Sequence, residues 1–445
     1  MNPFRVGQEA LKVAVPLSHP YESVQDLDPL IERLSQSQIV MLGEATHGTH
    51  EFYQWRRLIS EQLIKKYGFS FIAVEGDWPP CEKVNQWIRS KSMTLDKEED
   101  GKEALRSFHR WPTWMWSNTE VLKLIDGLRS LNSIVSKDRQ VGFHGLDVYS
   151  FFESMNAVIE TLEEINPFLA RRVRRKYACF DSFHQNEKKY LKSLFKLPQG
   201  CERQVAEVLE ELLQIRLNWM EKDEQVLFDV RQNARIVKNA EHYYRTMVHG
   251  SEDAWNVRDR HMMETLDLLR KYYGPKSRGI VWEHNTHIGD YRATDMVKYN
   301  HVNIGGLARD QYGKEAVALV GFGTFSGTVI ASHSWDGPVQ KLKLPQGRVG
   351  SYEALFHSIA EILKKNQFYM CFDQSSRQGP LSEIRGHRAV GVVYDPEHER
   401  YGNYVPTSIS NRYDAFVFID KSRALEPLPF GFNRVEIPES WPGGQ

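Results

Sequence analysis

The apolar run Ile39-Val40-Met41-Leu42 stops at Gly43, and Glu44, His47, His50 and Glu51 follow at once. A short run with no polar position reads as a strand buried on both faces, the pattern of a parallel sheet covered by helices. The same grammar returns far along the chain, where Gly279-Ile280-Val281-Trp282 runs into Glu283-His284-Asn285-Thr286-His287. In open α/β sheets, polar strand ends of this kind gather at the carboxyl edge, where acid/base groups face a crevice. The two segments can act together only if the fold sets their strands side by side.

The rest of the chain is consistent with such a sheet. A helix is expected over residues 50–67, with Gly68 as its stop, followed by a strand over 69–75 that ends in Glu75. Pro79 and Pro80 suit the first turn of a helix reaching about residue 90, and 93–112 reads as a polar loop. Ser117-Asn118-Thr119-Glu120 has the form of a capping box ahead of a helix, and a strand over 141–146 then ends in Asp147. A parallel sheet would gather Glu44, Glu75 and Asp147. Residues 150–275 contain no alternating strand pattern and many helix formers at 3.6-residue spacing, with helices expected over 150–165, 167–180, 202–219, 220–248 and 252–273. Strands resume at 279–283, 316–321, 328–331, 339–344, 368–372, 389–394 and 415–419, with a Gly-rich turn over 321–328. The expected fold is α/β: a mixed, largely parallel sheet flanked by helices, with a large helical insertion covering the carboxyl-edge cleft. Three segments result: 1–149 as the first βα half of the core, 150–275 as the helical cap, and 276–445 as the second half.

Composition narrows the partners. Across 445 residues the formal net charge is −1, which gives no electrostatic case for nucleic acid or an anionic membrane. The basic run Arg171-Arg172-Val173-Arg174-Arg175-Lys176 reads as the solvated face of a helix. There is no apolar span long enough to cross a membrane, and the first residues lack the apolar centre of a signal peptide. Cys81, Cys179, Cys201 and Cys371 are scattered without a C-x-x-C pair, so they are expected to be reduced thiols in a cytoplasmic protein.

His47 is the leading candidate for chemistry, because an imidazole titrates near neutral pH and can take a proton from water. Glu44, three residues earlier, can orient the ring. His284 and His287 form the second element, and Arg56, one turn into the first helix, can pair with a carboxylate or stabilise an oxyanion. The donors at His47, Glu44, Glu75, His284 and His287 leave a divalent metal open, although no H-E-x-x-H motif is present. There is no phosphate-binding G-x-x-x-x-G-K-[ST] and no G-x-S-x-G nucleophile elbow.

Leu42-Gly43-Glu44-Ala45-Thr46-His47-Gly48, Glu51-Phe52, Arg56, Ala73-Val74-Glu75 and Pro112-Thr113-Trp114-Met115-Trp116 resemble the erythromycin esterase family, as do Gly145-Leu146-Asp147, Val281 to His287 and Gly321 to Thr328. The resemblance spans roughly residues 39–420. It implies a mixed α/β core with added helices and hydrolysis of an ester or lactone by activated water, without a covalent intermediate. Carried onto this chain, the histidine base falls on His47 and its carboxylate on Glu44, with Arg56, Glu75, His284 and His287 completing the site. The expected assignment is catalytic roles for His47, Glu44, Glu75 and His284, substrate binding by Arg56, His287 and Asp147, and no required cofactor. The implied partner is a small-molecule ester or lactone. Relatives include antibiotic-resistance enzymes and proteins labelled for succinoglycan biosynthesis. Two alternatives stand beside this reading: a metal-dependent hydrolase using the same cluster, and a protein whose pocket holds a ligand or metal without turnover.

Overall fold

The computed structural model describes residues 3–18, 25–90, 97–214, 222–250 and 253–430. They form two compact units. The first contains residues 1–75, 84–143 and 269–445; the second contains 76–83 and 144–268.

The strands, in chain order, are β1 (Ala14–Pro16), β2 (Ile39–Leu42), β3 (Phe71–Val74), β4 (Gly142–Gly145), β5 (Gly279–Trp282), β6 (Val317–Ala331), β7 (Gln340–Leu344), β8 (Gln367–Cys371), β9 (Ile384–Arg388), β10 (Tyr404–Ser408) and β11 (Ala415–Ser422). Among the described residues nine of these make one sheet in the order β1-β8-β11-β6-β2-β5-β3-β4, with β7 added to the far end of β6. Strands β11, β6, β2, β5 and β3 run parallel, whereas β8 pairs antiparallel with β11 and β1, and β7 pairs antiparallel with β6. The sheet is therefore mixed and largely parallel. Strands β9 and β10 form a separate antiparallel pair.

Every residue of β2, β3 and β5 is buried, as their uninterrupted apolar sequences require. Their register determines where the polar residues beyond them emerge. Leu42 of β2 and Val74 of β3 both stand opposite Trp282 of β5, and Leu42 also faces Val320 of β6. The three short strands thus end level, and the residue after each end leaves the sheet at one height.

The helix over His50–Tyr67 follows the expected bounds, closed by Gly68 in the left-handed conformation at φ 69°. Several expectations need correction. Within the stretch 93–112, Lys97–Arg106 is helical, and residues 93–96 lie outside the described residues. The cap of helix Thr119–Ile134 is Asn118, whose Oδ1 accepts from the backbone of Glu120 and Val121, while the Ser117 hydroxyl donates to the Leu105 carbonyl. The expected turn at 321–328 is the middle of one 15-residue strand, β6. Its glycines admit neighbouring rings: a Cβ at Gly321 would lie 2.7 Å from the Tyr413 ring and 2.8 Å from that of Phe416. Residues 389–394 make only isolated bridges, Thr46 with Val390 and Ser332 with Val393, and the regular strand precedes them as β9.

The second unit is helical. It contains Phe151–Ile165, Pro167–Tyr177, Glu187–Leu194, Glu202–Gln214, Lys222–His249 and most of Ala254–Tyr273, and residues 215–219, 220–221 and 252 of the expected helices lie outside the described residues. Its core is a continuous cluster including Phe151, Phe152, Val173, Tyr190, Val208, Val237 and Tyr243. Residues 76–83 join it because the Gly76 carbonyl accepts from the Asp147 backbone, and a Cβ at Gly145 would fall 2.4 Å from that same carbonyl. The expectation of four reduced thiols is also overturned: Cys179 and Cys201 form a disulfide, with Cα atoms 6.3 Å apart. Two cysteines brought together by a helical turn and a loop leave no spacing signature. No helix among the described residues is long and apolar enough to cross a membrane.

Candidate active site

The level ends of β2, β3 and β5 deliver Glu44, Glu75 and His284 to one edge of the sheet. The turn after β2 is held against the turn after β5, because the Glu44 carbonyl accepts from the Asn285 backbone at 2.8 Å. Gly43 permits this approach: a Cβ there would sit 2.1 Å from Asn285 Oδ1. The Asn285 amide in turn donates to the Phe322 carbonyl at 2.7 Å and accepts from the Phe322 backbone at 3.2 Å. The two catalytic-looking turns are therefore fastened to each other and to β6.

Glu44 lies at the centre of a buried chain of charges. Its Oε1 meets His47 Nδ1 at 2.9 Å, and its Oε2 accepts from Arg56 Nη2 at 2.7 Å. With a carboxylate accepting at Nδ1, the neutral ring carries its proton there and keeps a lone pair on Nε2. Pairing with a carboxylate, one of the two roles expected of Arg56, is thus present, and the side chain is wholly buried, its guanidinium 4.4 Å from the Tyr53 ring centroid and 4.8 Å from that of Trp282. It holds the second oxygen of the Glu44 carboxylate.

The His284 ring lies 4.9 Å from the His47 ring, centroid to centroid. The Thr286 backbone donates to His284 Nδ1 at 3.3 Å, and the Thr286 hydroxyl approaches the same nitrogen at 2.8 Å. Nδ1 is then an acceptor and the ring hydrogen sits on Nε2, which has no hydrogen-bond partner among the described residues. Burial, then the neighbouring His47, push the His284 pKa well below the ordinary histidine value, so the ring is neutral near pH 7. Glu75 supports this turn: its Oε2 accepts from the His284 backbone at 2.8 Å, and its Oε1 lies 3.5 Å from His287 Nε2. The Trp116 indole donates to the Glu75 carbonyl at 3.1 Å.

The structure thus brings Glu44, His47, Arg56, Glu75, His284 and His287 together. It directs three others elsewhere. His50 and Glu51, grouped in the sequence with His47, fasten the start of their helix: the His50 backbone donates to the Arg423 carbonyl, and Glu51 accepts from the Arg423 side chain at 2.9 Å. Asp147, expected at the substrate, is held by Arg258 through bonds of 3.0 and 2.6 Å and also accepts from the Val148 backbone, so its oxygens are committed within the helical unit. Thr286 and Trp116 lie in segments that carry the family resemblance but had no role assigned there, and Tyr53 has no signal in the sequence. Thr286 also carries a local one, a hydroxyl two residues beyond a candidate histidine. Among the described residues no three His, Cys, Asp or Glu side chains are arranged to hold a metal ion.

Known proteins agree with this architecture. A Bacillus subtilis protein, YbfO, provisionally named a hydrolase, is 23% identical over 92% of this chain and 89% of its own. The solved structure of a protein titled as a succinoglycan biosynthesis protein matches 95% of this chain and 97% of its own, at 20% identity and a TM-score of 0.74. An erythromycin esterase mutant, EreC in its open conformation, matches 91% of this chain and 96% of its own, at 15% identity and a TM-score of 0.67. At these identities the two structures establish a shared fold. The sequence profile of the erythromycin esterase family matches residues 64–422, a stretch that begins after the Glu44–His47 turn and includes Glu75, His284 and His287. The chain belongs to the erythromycin esterase family.

Proposed function

We propose that this protein hydrolyses a carboxylic ester, a lactone included, with water activated by His47. The observation that carries the reading is the buried chain Arg56–Glu44–His47 set against a neutral His284. His47 Nε2 takes a proton from water as the water oxygen bonds to the carbonyl carbon. The charge that builds on the imidazole is met by Glu44, whose other oxygen is pinned by Arg56 and cannot turn away. A neutral His284 does not repel the imidazolium, and its Nε2 hydrogen is available to the developing oxyanion. As the tetrahedral adduct collapses, the imidazolium returns its proton to the leaving alkoxide, giving an acid and an alcohol. No side chain is placed as a covalent nucleophile in this scheme. Family membership supports the hydrolase class, and the carboxylate–histidine geometry supports the division of roles.

The test is a panel of esters and lactones, macrolides included, assayed with the wild-type chain and with His47→Asn, before and after chelation. A positioned general base typically contributes about 10²–10⁴-fold to rate, and His47→Asn should lose that much. His47 is 8% exposed and contributes no large apolar surface, so stability should change by less than about 1 kcal/mol. Wild-type turnover by folded His47→Asn would overturn the assignment. Activity lost on chelation and restored by one metal would replace it with metal-assisted hydrolysis.

A further inference from the structure

His387, near the end of β9, is 1% exposed, as is Glu353 of the helix Tyr352–Leu363. His387 Nδ1 donates to Glu353 Oε1 at 2.7 Å, and the same oxygen accepts from the Arg388 backbone at 2.9 Å. Burial pushes the His387 pKa below the ordinary histidine value in spite of the Glu353 charge, so the ring is neutral near pH 7. With its hydrogen on Nδ1, the neutral ring keeps a lone pair on Nε2. That nitrogen lies 3.2 Å from Asn285 Nδ2. Burying a carboxylate with an imidazole is costly, and the pairing of β9 with β10 needs neither.

Asn285 is where this pair meets the candidate site. One Nδ2 hydrogen goes to the Phe322 carbonyl, Oδ1 accepts from the Phe322 backbone, and the second Nδ2 hydrogen goes to His387. Two bonds to one residue still let the amide tilt; a third, to a ring on a different strand, stops it. The Asn285 backbone donates to the Glu44 carbonyl, and His284 is the adjacent residue. We propose that His387, braced by Glu353, is a positioning residue: through Asn285 it fixes the turn that carries His284 against the turn that carries Glu44 and His47. Its effect on chemistry rests on the ester-hydrolysis reading, whereas its effect on the turn does not.

The test compares Glu353→Gln/His387→Gln with Glu353→Gln/His387→Leu in the full chain. The shared Glu353→Gln leaves no unpaired carboxylate behind and still accepts from the Arg388 backbone, so both variants should fold. They differ in the acceptor for Asn285, which the glutamine oxygen supplies and leucine lacks. Hydrogen exchange of the Phe322 amide, taken relative to the amides of β2, should be about 2- to 10-fold faster with leucine, the worth of one hydrogen bond. On an ester from the panel, kcat should be about 5- to 50-fold lower with leucine and KM within about twofold. A displaced reacting group costs rate rather than affinity, and His387 is too buried to touch substrate. Equal relative exchange in the two variants would overturn the proposal, with or without a substrate in hand; so would equal kcat, or a loss confined to KM. Wild-type turnover by folded His47→Asn would instead defeat the hydrolytic reading and leave the exchange result to judge the turn.

Discussion

Glu44→Gln separates what the buried charge chain does for stability from what it does for chemistry. The substitution keeps the shape of the side chain but removes the counter-charge of Arg56, which is fully buried and donates to Glu44 Oε2 at 2.7 Å. Leaving one partner of a buried ion pair uncompensated costs about 3–5 kcal/mol, part of which the neighbouring Tyr53 and Trp282 rings should offset through cation–π contact. A loss of about 2–4 kcal/mol is therefore expected in chemical denaturation. The catalytic effect has another source. A hydrogen bond from imidazolium to carboxylate, at 2.9 Å in this structure, is worth about 1.5–3 kcal/mol, and a glutamine oxygen recovers only part of that. Turnover of an ester found in the panel should fall by about 10- to 200-fold at saturating substrate. The double variant Glu44→Gln/Arg56→Met removes the orphaned cation along with its partner. It should regain most of the lost stability and none of the lost turnover. If Glu44→Gln retained wild-type turnover, or the double variant regained both quantities, Glu44 would be a packing element and its charge would have no part in activating His47.

The same geometry yields three shorter tests. Thr286→Val removes the hydroxyl 2.8 Å from His284 Nδ1 while keeping the backbone donor, and should slow turnover by about 2- to 10-fold through a less fixed tautomer; an unchanged rate would dismiss the positioning role. Gly43→Ala places a Cβ 2.1 Å from Asn285 Oδ1, and should cost more than about 2 kcal/mol by dislodging the amide from Phe322; a variant within about 0.5 kcal/mol of wild type would show that the two turns are not locked together. Burial pushes the His261 pKa down from 6.5 to about 4, and His284 is depressed in the same direction. Between those pH values the unfolded chain binds a proton that the folded chain does not, so stability falls as pH drops from about 6.5 toward 4, by roughly 3 kcal/mol for His261 alone. Denaturation midpoints for wild type and His261→Gln across that range should diverge at neutral pH and converge in acid; identical slopes would refute the shift.

What sequence could reveal divides along physical lines. Strands β2, β3 and β5 were legible because each is fully buried and carries no polar position, and the glycine or charge that ends each run marks the exit from the sheet. Strand β6 looks like two strands in sequence because Gly321 and Gly323 suggest a turn, whereas their purpose is to admit the rings of Tyr413 and Phe416, which are distant in the chain. Strands β1, β9 and β10 have no marked alternation and owe their extension to their partners. At the site, the residue types were visible in the two strand-end motifs. Partner identity was not: nothing local distinguishes Arg56, wholly buried against two aromatic rings, from a surface arginine, and Asp147 ends its strand run as Glu75 does yet is held by Arg258.

Asn285 imitates a peptide unit. With one side-chain amide it both donates to and accepts from the backbone of Phe322, so the hydrogen bonding of β6 continues past the point where its neighbour β2 has already turned away. The histidine next to it is therefore carried by a loop residue but moored like a strand residue. A mobile loop could present His284 over a spread of positions, and each would need to be sorted before every reaction cycle; a moored one arrives already placed. The Phe322 amide should accordingly exchange with solvent as slowly as its neighbours inside the sheet.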